Sequence, residues 1–158
     1  MARSDLKKRL VKKASKMPNP VQALKCPIPA ETPSGEQLSY SFLWGTHLDD
    51  ELFAWIFNLF VNNMRTFYEL SQWGYDEVSK KQELTATTSR YIIVRNANGT
   101  PIAYCHYRFD MDHDSAVVYW YVIGMLISCF FLCHKNMNRR SKTFVEAVIS
   151  RYLKFQRK

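Results

Sequence analysis

Between residues 37 and 122 the hydrophobic positions change their period twice, and each change predicts a change of element. From Gln37 to Leu43 they alternate, with Leu38, Tyr40 and Phe42 on one side and Ser39, Ser41 and Leu43 on the other. That predicts a first strand. Thr46 to Asp50 offers an N-cap candidate followed by acids, the start of a helix. Leu52, Trp55, Ile56, Leu59, Phe60, Met64, Phe67 and Tyr68 then recur at helical spacing. They predict one long helix with a single apolar stripe, closed at Trp73-Gly74. Most of that stripe is core, but Tyr68 falls in the last turn, where a stripe residue emerges into a cleft. Asp76 to Glu83 reads as a short polar helix and Thr85 to Ser89 as a loop. The period of two then returns. Arg90 to Arg95 is a β-branched strand, Asn96 to Gly99 a hairpin turn, and Ile102 to Phe109 the partner strand. That aromatic strand is expected to end at the carboxylate of Asp110. Met111 to Ser115 turns again, and Ala116 to Val122 is the next strand, with Val117, Tyr119 and Tyr121 sharing a face.

The order is strand, two helices, then a three-strand meander, an α+β pattern. If the long helix packs across the sheet, Tyr68, Glu69, Trp73, Tyr75 and Asp110 come within reach of one another. They would form an acidic groove with aromatic walls, suited to a cationic peptide or an amine.

Charge sharpens this picture. The chain has 158 residues and a net charge of +8, unevenly spread. Residues 1–16 hold seven Lys or Arg against one Asp, a net +6, and residues 134–158 hold eight against one Glu, a net +7. The body between them, with seven Lys or Arg against twelve acids, is at −5. An acidic body with basic ends suits a basic partner better than direct DNA reading. Residues 1–17 read first as a solvated basic tail or frayed helix, and second as a nuclear-import or nucleic-acid patch. Five prolines between Pro18 and Gly35 make 18–36 a linker or wrapped arm.

Cys26, Cys105, Cys129 and Cys133 form no Cys-x-x-Cys pair, and the charged N-terminus has no signal-peptide pattern. Free thiols in a reducing compartment are expected. Cys129, Cys133 and His134 fit no zinc spacing, so no metal is expected. His106 and Asp110 do not make a dyad, because four residues along a strand span more than about 12 Å. Residues 117–133 carry no charge, at the lower limit of a membrane span, with Tyr and Trp at one end. Residues 135–158 show helical spacing of Phe144, Val148, Tyr152 and Phe155 among basic residues.

Three runs carry a resemblance. They are Asn-Met-Arg-Thr-Phe-Tyr-Glu-Leu-Ser-Gln-Trp-Gly-Tyr from Asn63 to Tyr75, Glu83-Leu84-Thr85, and Pro-Ile-Ala-Tyr-Cys-His-Tyr-Arg-Phe-Asp from Pro101 to Asp110, followed by Tyr119-x-Tyr121. Over about residues 63–121 the chain resembles the histone-specific N-α-acetyltransferases of the NatD type, in the GNAT superfamily. The resemblance implies a partial GNAT fold, a mixed or antiparallel sheet with helices over 37–122. It implies acetyl transfer from acetyl-CoA to the α-amine of histones beginning Ser-Gly-Arg-Gly, by direct attack of the amine, in nucleus and cytoplasm. It places Tyr68, Trp73, Asp110, Tyr119 and Tyr121 in the peptide-binding pocket, with Tyr121 the sole catalytic candidate.

The pattern departs after Tyr121. The resemblance implies a glutamate next, to help deprotonate the amine, and the position holds Val122. It also implies Arg/Gln-x-x-Gly-x-Gly/Ala, whose glycines let backbone N–H groups approach the CoA pyrophosphate. Glycine occurs at 35, 45, 74, 99 and 124 and nowhere later. The expectation is a peptide-binding half without an acetyl-CoA motif and without acetyl transfer. Residues 123–158 then form an unrelated apolar and basic tail, as an alternative transcript or gene-model error would give. The rival expectation is a non-catalytic histone-tail or partner-binding protein, anchored to a membrane through 117–133.

Overall fold

The computed structural model describes residues 3–19, 30–32, 35–72 and 74–125, with residues 3, 4 and 120–125 as backbone alone. Trp73, most of the proline-rich arm and residues 126–158 lie outside the described residues. The described part is α+β. Helix α1 (Arg3–Ala14) is followed by strand β1 (Ser39–Trp44), helices α2 (Asp50–Leu70) and α3 (Glu77–Leu84), and strands β2 (Arg90–Arg95), β3 (Pro101–Asp112) and β4 (Ser115–Met125). The four strands form one antiparallel sheet in sequence order, β1-β2-β3-β4.

Helix α2 starts where its acids predict. Asp49 caps it, its Oδ1 accepting from Leu52 N at 2.7 Å, and Asp50 and Glu51 lie in the first turn against the helix dipole. Its stripe buries Leu52, Ile56, Leu59 and Phe60 against Tyr91 and Ile93 of β2, Tyr104 of β3 and Leu84 of α3. Full burial of a side chain such as Phe60 or Ile56 stabilises by roughly 1.5–3 kcal/mol. Met64 and Tyr68 stay packed against this core, so the stripe reaches its predicted end, but Phe67 departs from it and is 63% exposed. Helix α3 packs on the last turns of α2, where Lys80 reaches Tyr68. The helix ends at Leu70 on Ser71, whose N–H and hydroxyl both donate to the Tyr68 carbonyl, before Trp73-Gly74 is reached.

The connection from β1 into α2 is tight. Gly45 N–H donates to the Ser89 carbonyl at 2.8 Å, and a Cβ on Gly45 would sit 2.9 Å from the Leu84 carbonyl oxygen and from Ser89 Cβ. At the β2–β3 turn Gly99 takes a φ of +78°, and Asn96 Oδ1 accepts from the N–H groups of Asn98 and Thr100.

The opposite face of the sheet is covered by α1, which lies against β3 and β4. Lys7 Nζ donates to the Asp114 carbonyl at 2.6 Å. Arg90 is buried on this face with its guanidinium 4.6 Å over the Trp44 ring, and it donates to the Ser15 carbonyl. Where a solvated tail or a frayed helix was expected, the basic residues 3–14 form a helix, and it is docked on the sheet. Val11 and Ala14 are its half-buried apolar contacts.

Strands β3 and β4 outrun their predicted ends. β3 continues to Asp112, so Asp110 lies inside the strand instead of closing it, because β4 pairs with it as far as Ser115. The turn falls on His113, with a φ of 50°, and Asp114. β4 in turn runs to Met125, three residues beyond the expected boundary at Val122. It carries a bulge: Trp120 is opposite Tyr107 and Val122 opposite His106, which leaves Tyr121 as the extra residue. Val117 and Tyr119 stay in register with Asp110 and Arg108, but the alternation expected to include Tyr121 is interrupted before it. Residues 117–125, the described part of the expected membrane span, are strand. Among the described residues no helix is long and apolar enough to cross a membrane.

Candidate functional site

Each tyrosine expected in the groove, Tyr121 apart, stands beside a carboxylate and a cation of the chain's own. Three such triads occur, and they differ in burial.

The first lies on the surface of α2. Arg65 Nε donates to Glu69 Oε1 at 2.7 Å one turn on, and its guanidinium lies 5.1 Å over the Tyr75 ring. Both charged side chains are about half exposed, 53% and 47%, so this pair is weak.

The second is packed between α2 and α3. Tyr68 sets its ring edge-on to Phe60 at 5.5 Å. Lys80 from α3 donates to Tyr68 Oη at 3.0 Å and to Glu83 Oε2 at 2.7 Å, and its ammonium lies 4.9 Å over the Phe60 ring and 4.7 Å over the Tyr68 ring. Lys80 is 6% exposed. Burial pulls its pKa down, but the hydrogen bonds and charges of Glu83 and Tyr68 outweigh it and hold the ammonium above the ordinary lysine range. An ammonium has no acceptor, so Tyr68 must accept from Lys80 and direct its own proton elsewhere. Glu83 Oε1 and the Tyr104 hydroxyl are buried nearby without a hydrogen-bond partner among the described residues.

This triad connects to the sheet through the end of α3. Ser89 Oγ donates to the Glu83 carbonyl at 2.7 Å, and Tyr91 Oη donates to the Leu84 carbonyl at 2.8 Å. The Ser89 proton is thereby used. His106 Nε2, 3.0 Å from Ser89 Oγ, therefore carries the hydrogen and donates. The His106 ring stacks on Tyr91 at 4.8 Å. Burial, with the nearby charges of Lys80 and Arg108, pushes His106 down to about 3. His106 is a neutral core residue. The phenols of Tyr91 and Tyr104 are pushed far up by burial and stay protonated.

The third triad lies on the β3–β4 ribbon. Arg108 Nε is 3.2 Å from Asp110 Oδ2, and the guanidinium lies 5.2 Å over the Tyr119 ring. Arg108 and Tyr119 are directly opposite across the two strands, and Asp110 is opposite Val117. Asp110 Oδ1 also accepts from the Met111 N–H at 2.7 Å, which fixes the carboxylate. The Arg108 and Asp110 side chains are 35% and 44% exposed.

Of the five expected pocket residues, the structure thus brings Asp110 and Tyr119 together around Arg108 and places Tyr68 around Lys80. Tyr104, whose phenol feels Tyr68, is six residues from Asp110 on β3, about 20 Å of strand. Tyr121 is placed by its backbone, at the bulge, and Trp73 lies outside the described residues. Sequence reasoning gave no role to Arg65, Lys80 or Arg108. A signal was present: each cation is four, three or two residues before its carboxylate, the spacing at which helix or strand neighbours share a face. Chemically, the exposed triad can hold a guanidinium or ammonium against a carboxylate with a phenol ring beneath it. Among the described residues no group of three or more His, Cys, Asp or Glu side chains is placed to hold a metal. No family model matches the chain.

Proposed function

We propose that this chain carries the peptide-binding side of a GNAT-type histone N-α-acetyltransferase of the NatD kind and binds the amino end of a basic histone tail without transferring acetyl to it. The strand–helix–helix–meander order and the motif runs between Asn63 and Tyr121 support the family reading. One observation carries the binding half. Arg108 rests between Asp110 and the face of Tyr119, so that seat already holds a guanidinium in this protein. A tail beginning Ser-Gly-Arg-Gly presents the same group, able to add to the carboxylate or displace Arg108 from it. Tyr68 offers a phenolic proton to a carbonyl of the same tail, since Lys80 occupies its oxygen.

The non-catalytic half of the reading rests on two departures in the sequence. Val122, opposite His106 on β4, stands where the resemblance implies a proton-accepting glutamate. Residues 125–158 hold no glycine to let backbone N–H groups reach a pyrophosphate.

Calorimetry with a peptide beginning Ser-Gly-Arg-Gly tests the reading. Binding is expected, weakened about tenfold in Asp110→Asn and strengthened in Arg108→Gln, which removes the internal competitor. Equal affinity for a Ser-Gly-Ala-Gly peptide would sink the guanidinium seat. Micromolar binding of acetyl-CoA would overturn the absence of transfer.

A further inference from the structure

Helix α1 carries two different stripes. Lys7, Val11 and Ala14 follow one another at i, i+4 and i+7 and are half-buried, the side that meets the sheet. Leu6, Leu10 and Lys13 follow the same spacing one residue earlier, with Arg9 beside them, and this stripe faces water. Leu6 and Leu10 are 55% and 54% exposed, although they are the largest apolar side chains of the helix. Docking on the sheet uses the smaller Val11 and Ala14 and leaves the leucines out. Lys8 and Lys12, on the back of the helix, are exposed as well.

We propose that this outward stripe of α1 is a docking surface for an anionic lipid bilayer. The leucines enter the boundary between headgroups and acyl chains, and Arg9 and Lys13, which flank them on the helix, lie against the anionic headgroups. The paired chemistry selects the partner. A nucleic-acid backbone satisfies the cations but leaves two adjacent leucines in water. A second copy of the chain satisfies the leucines but sets a segment of net +6 against its like. An anionic bilayer satisfies both. The docked underside, held by Lys7 on the Asp114 carbonyl and by the Ser15 carbonyl on Arg90, keeps the helix formed before it meets a membrane. The folding cost that weakens a free amphipathic peptide is thereby already met. The surface is separate from the Arg108–Asp110–Tyr119 seat and does not depend on what that seat binds.

Vesicle flotation of the full chain tests this. The chain is expected to float with phosphatidylcholine vesicles containing phosphatidylserine and to stay behind with phosphatidylcholine alone. Leu6→Ala/Leu10→Ala is expected to cut the floated fraction about tenfold, since each truncation removes apolar surface from the bilayer. Alanine is the better helix former and neither leucine is buried, so the variant keeps α1, as unchanged circular dichroism will show. Salt is expected to release part of the wild-type chain. Undiminished flotation of the double variant would overturn the proposal, because charge elsewhere, including the basic residues 135–158, would then suffice. So would failure of the wild-type chain to float, or displacement of it from the vesicles by duplex DNA that binds the leucine variant equally well.

Discussion

His106 is the buried group through which acid reaches the core. Its folded pKa of about 3 is below the ordinary 6.5 because burial and the charges of Lys80 and Arg108 disfavour the imidazolium. Between those values the unfolded chain binds a proton at this site and the folded chain does not. Stability from this residue is therefore complete above about pH 6.5 and declines as pH falls, with a slope approaching 1.4 kcal/mol per unit, until it levels near 3. His106→Gln keeps a donor for Ser89 and removes the titration. Urea unfolding at several pH values should show the wild type losing roughly 2 kcal/mol more than the variant between about pH 6.5 and 4.5. Parallel curves would mean that His106 is solvated when folded. Lys80 behaves in the opposite sense: Glu83 and Tyr68 hold its charge in place, so the ammonium itself takes up no proton across the same range.

At the scale of elements, the pieces fit through contacts that leave no room. Gly45 shows this best. A methyl group there meets a backbone carbonyl and Ser89 Cβ at 2.9 Å, and neither can swing aside as a long side chain would. Gly45→Ala is expected to destabilise by about 2 kcal/mol, read as a lower urea midpoint at unchanged slope. Elements whose signal is local were legible in the sequence. Arg90–Arg95 has the bounds that its β-branched run predicts, and the acids at 49–51 mark the start of α2. What escaped depends on partners distant in sequence. β3 passes Asp110 because β4 pairs with it, and the regular alternation expected of β4 is interrupted because the ladder bulges at Tyr121. The candidate site was half legible. Tyr119 and Asp110 do share a cluster, but the cation that joins them is Arg108 of the chain itself, and Tyr68 belongs to a cluster around Lys80. Residue types disclose a taste for cations; only the fold discloses that three are already seated.

At the scale of the molecule, and among the described residues, the sheet is a layer between unlike covers. One face has the apolar stripe of α2; the other has α1, which contributes few apolar atoms and several charges. Removing residues 1–16 should therefore leave α2 and its core in place while uncovering β3 and β4. It also takes the Ser15 carbonyl from the buried guanidinium of Arg90. The truncated chain is expected to unfold several degrees lower and to bind a hydrophobic dye while still folded. An unchanged melting temperature would show that α1 rests on the sheet without stabilising it. The same truncation takes away the leucine stripe, so dye binding and vesicle flotation should move in opposite directions.

The bulge on β4 has a genetic reading. Trp120 and Val122 are both opposed, and Tyr121 between them is the odd one out. Losing that single codon would join Trp120 directly to Val122, opposite Tyr107 and His106, and restore an even ladder without moving any other rung. It would also remove the second tyrosine of the Tyr119-x-Tyr121 run. An in-frame loss there would keep every paired residue of the hairpin and take away only the one that has no rung.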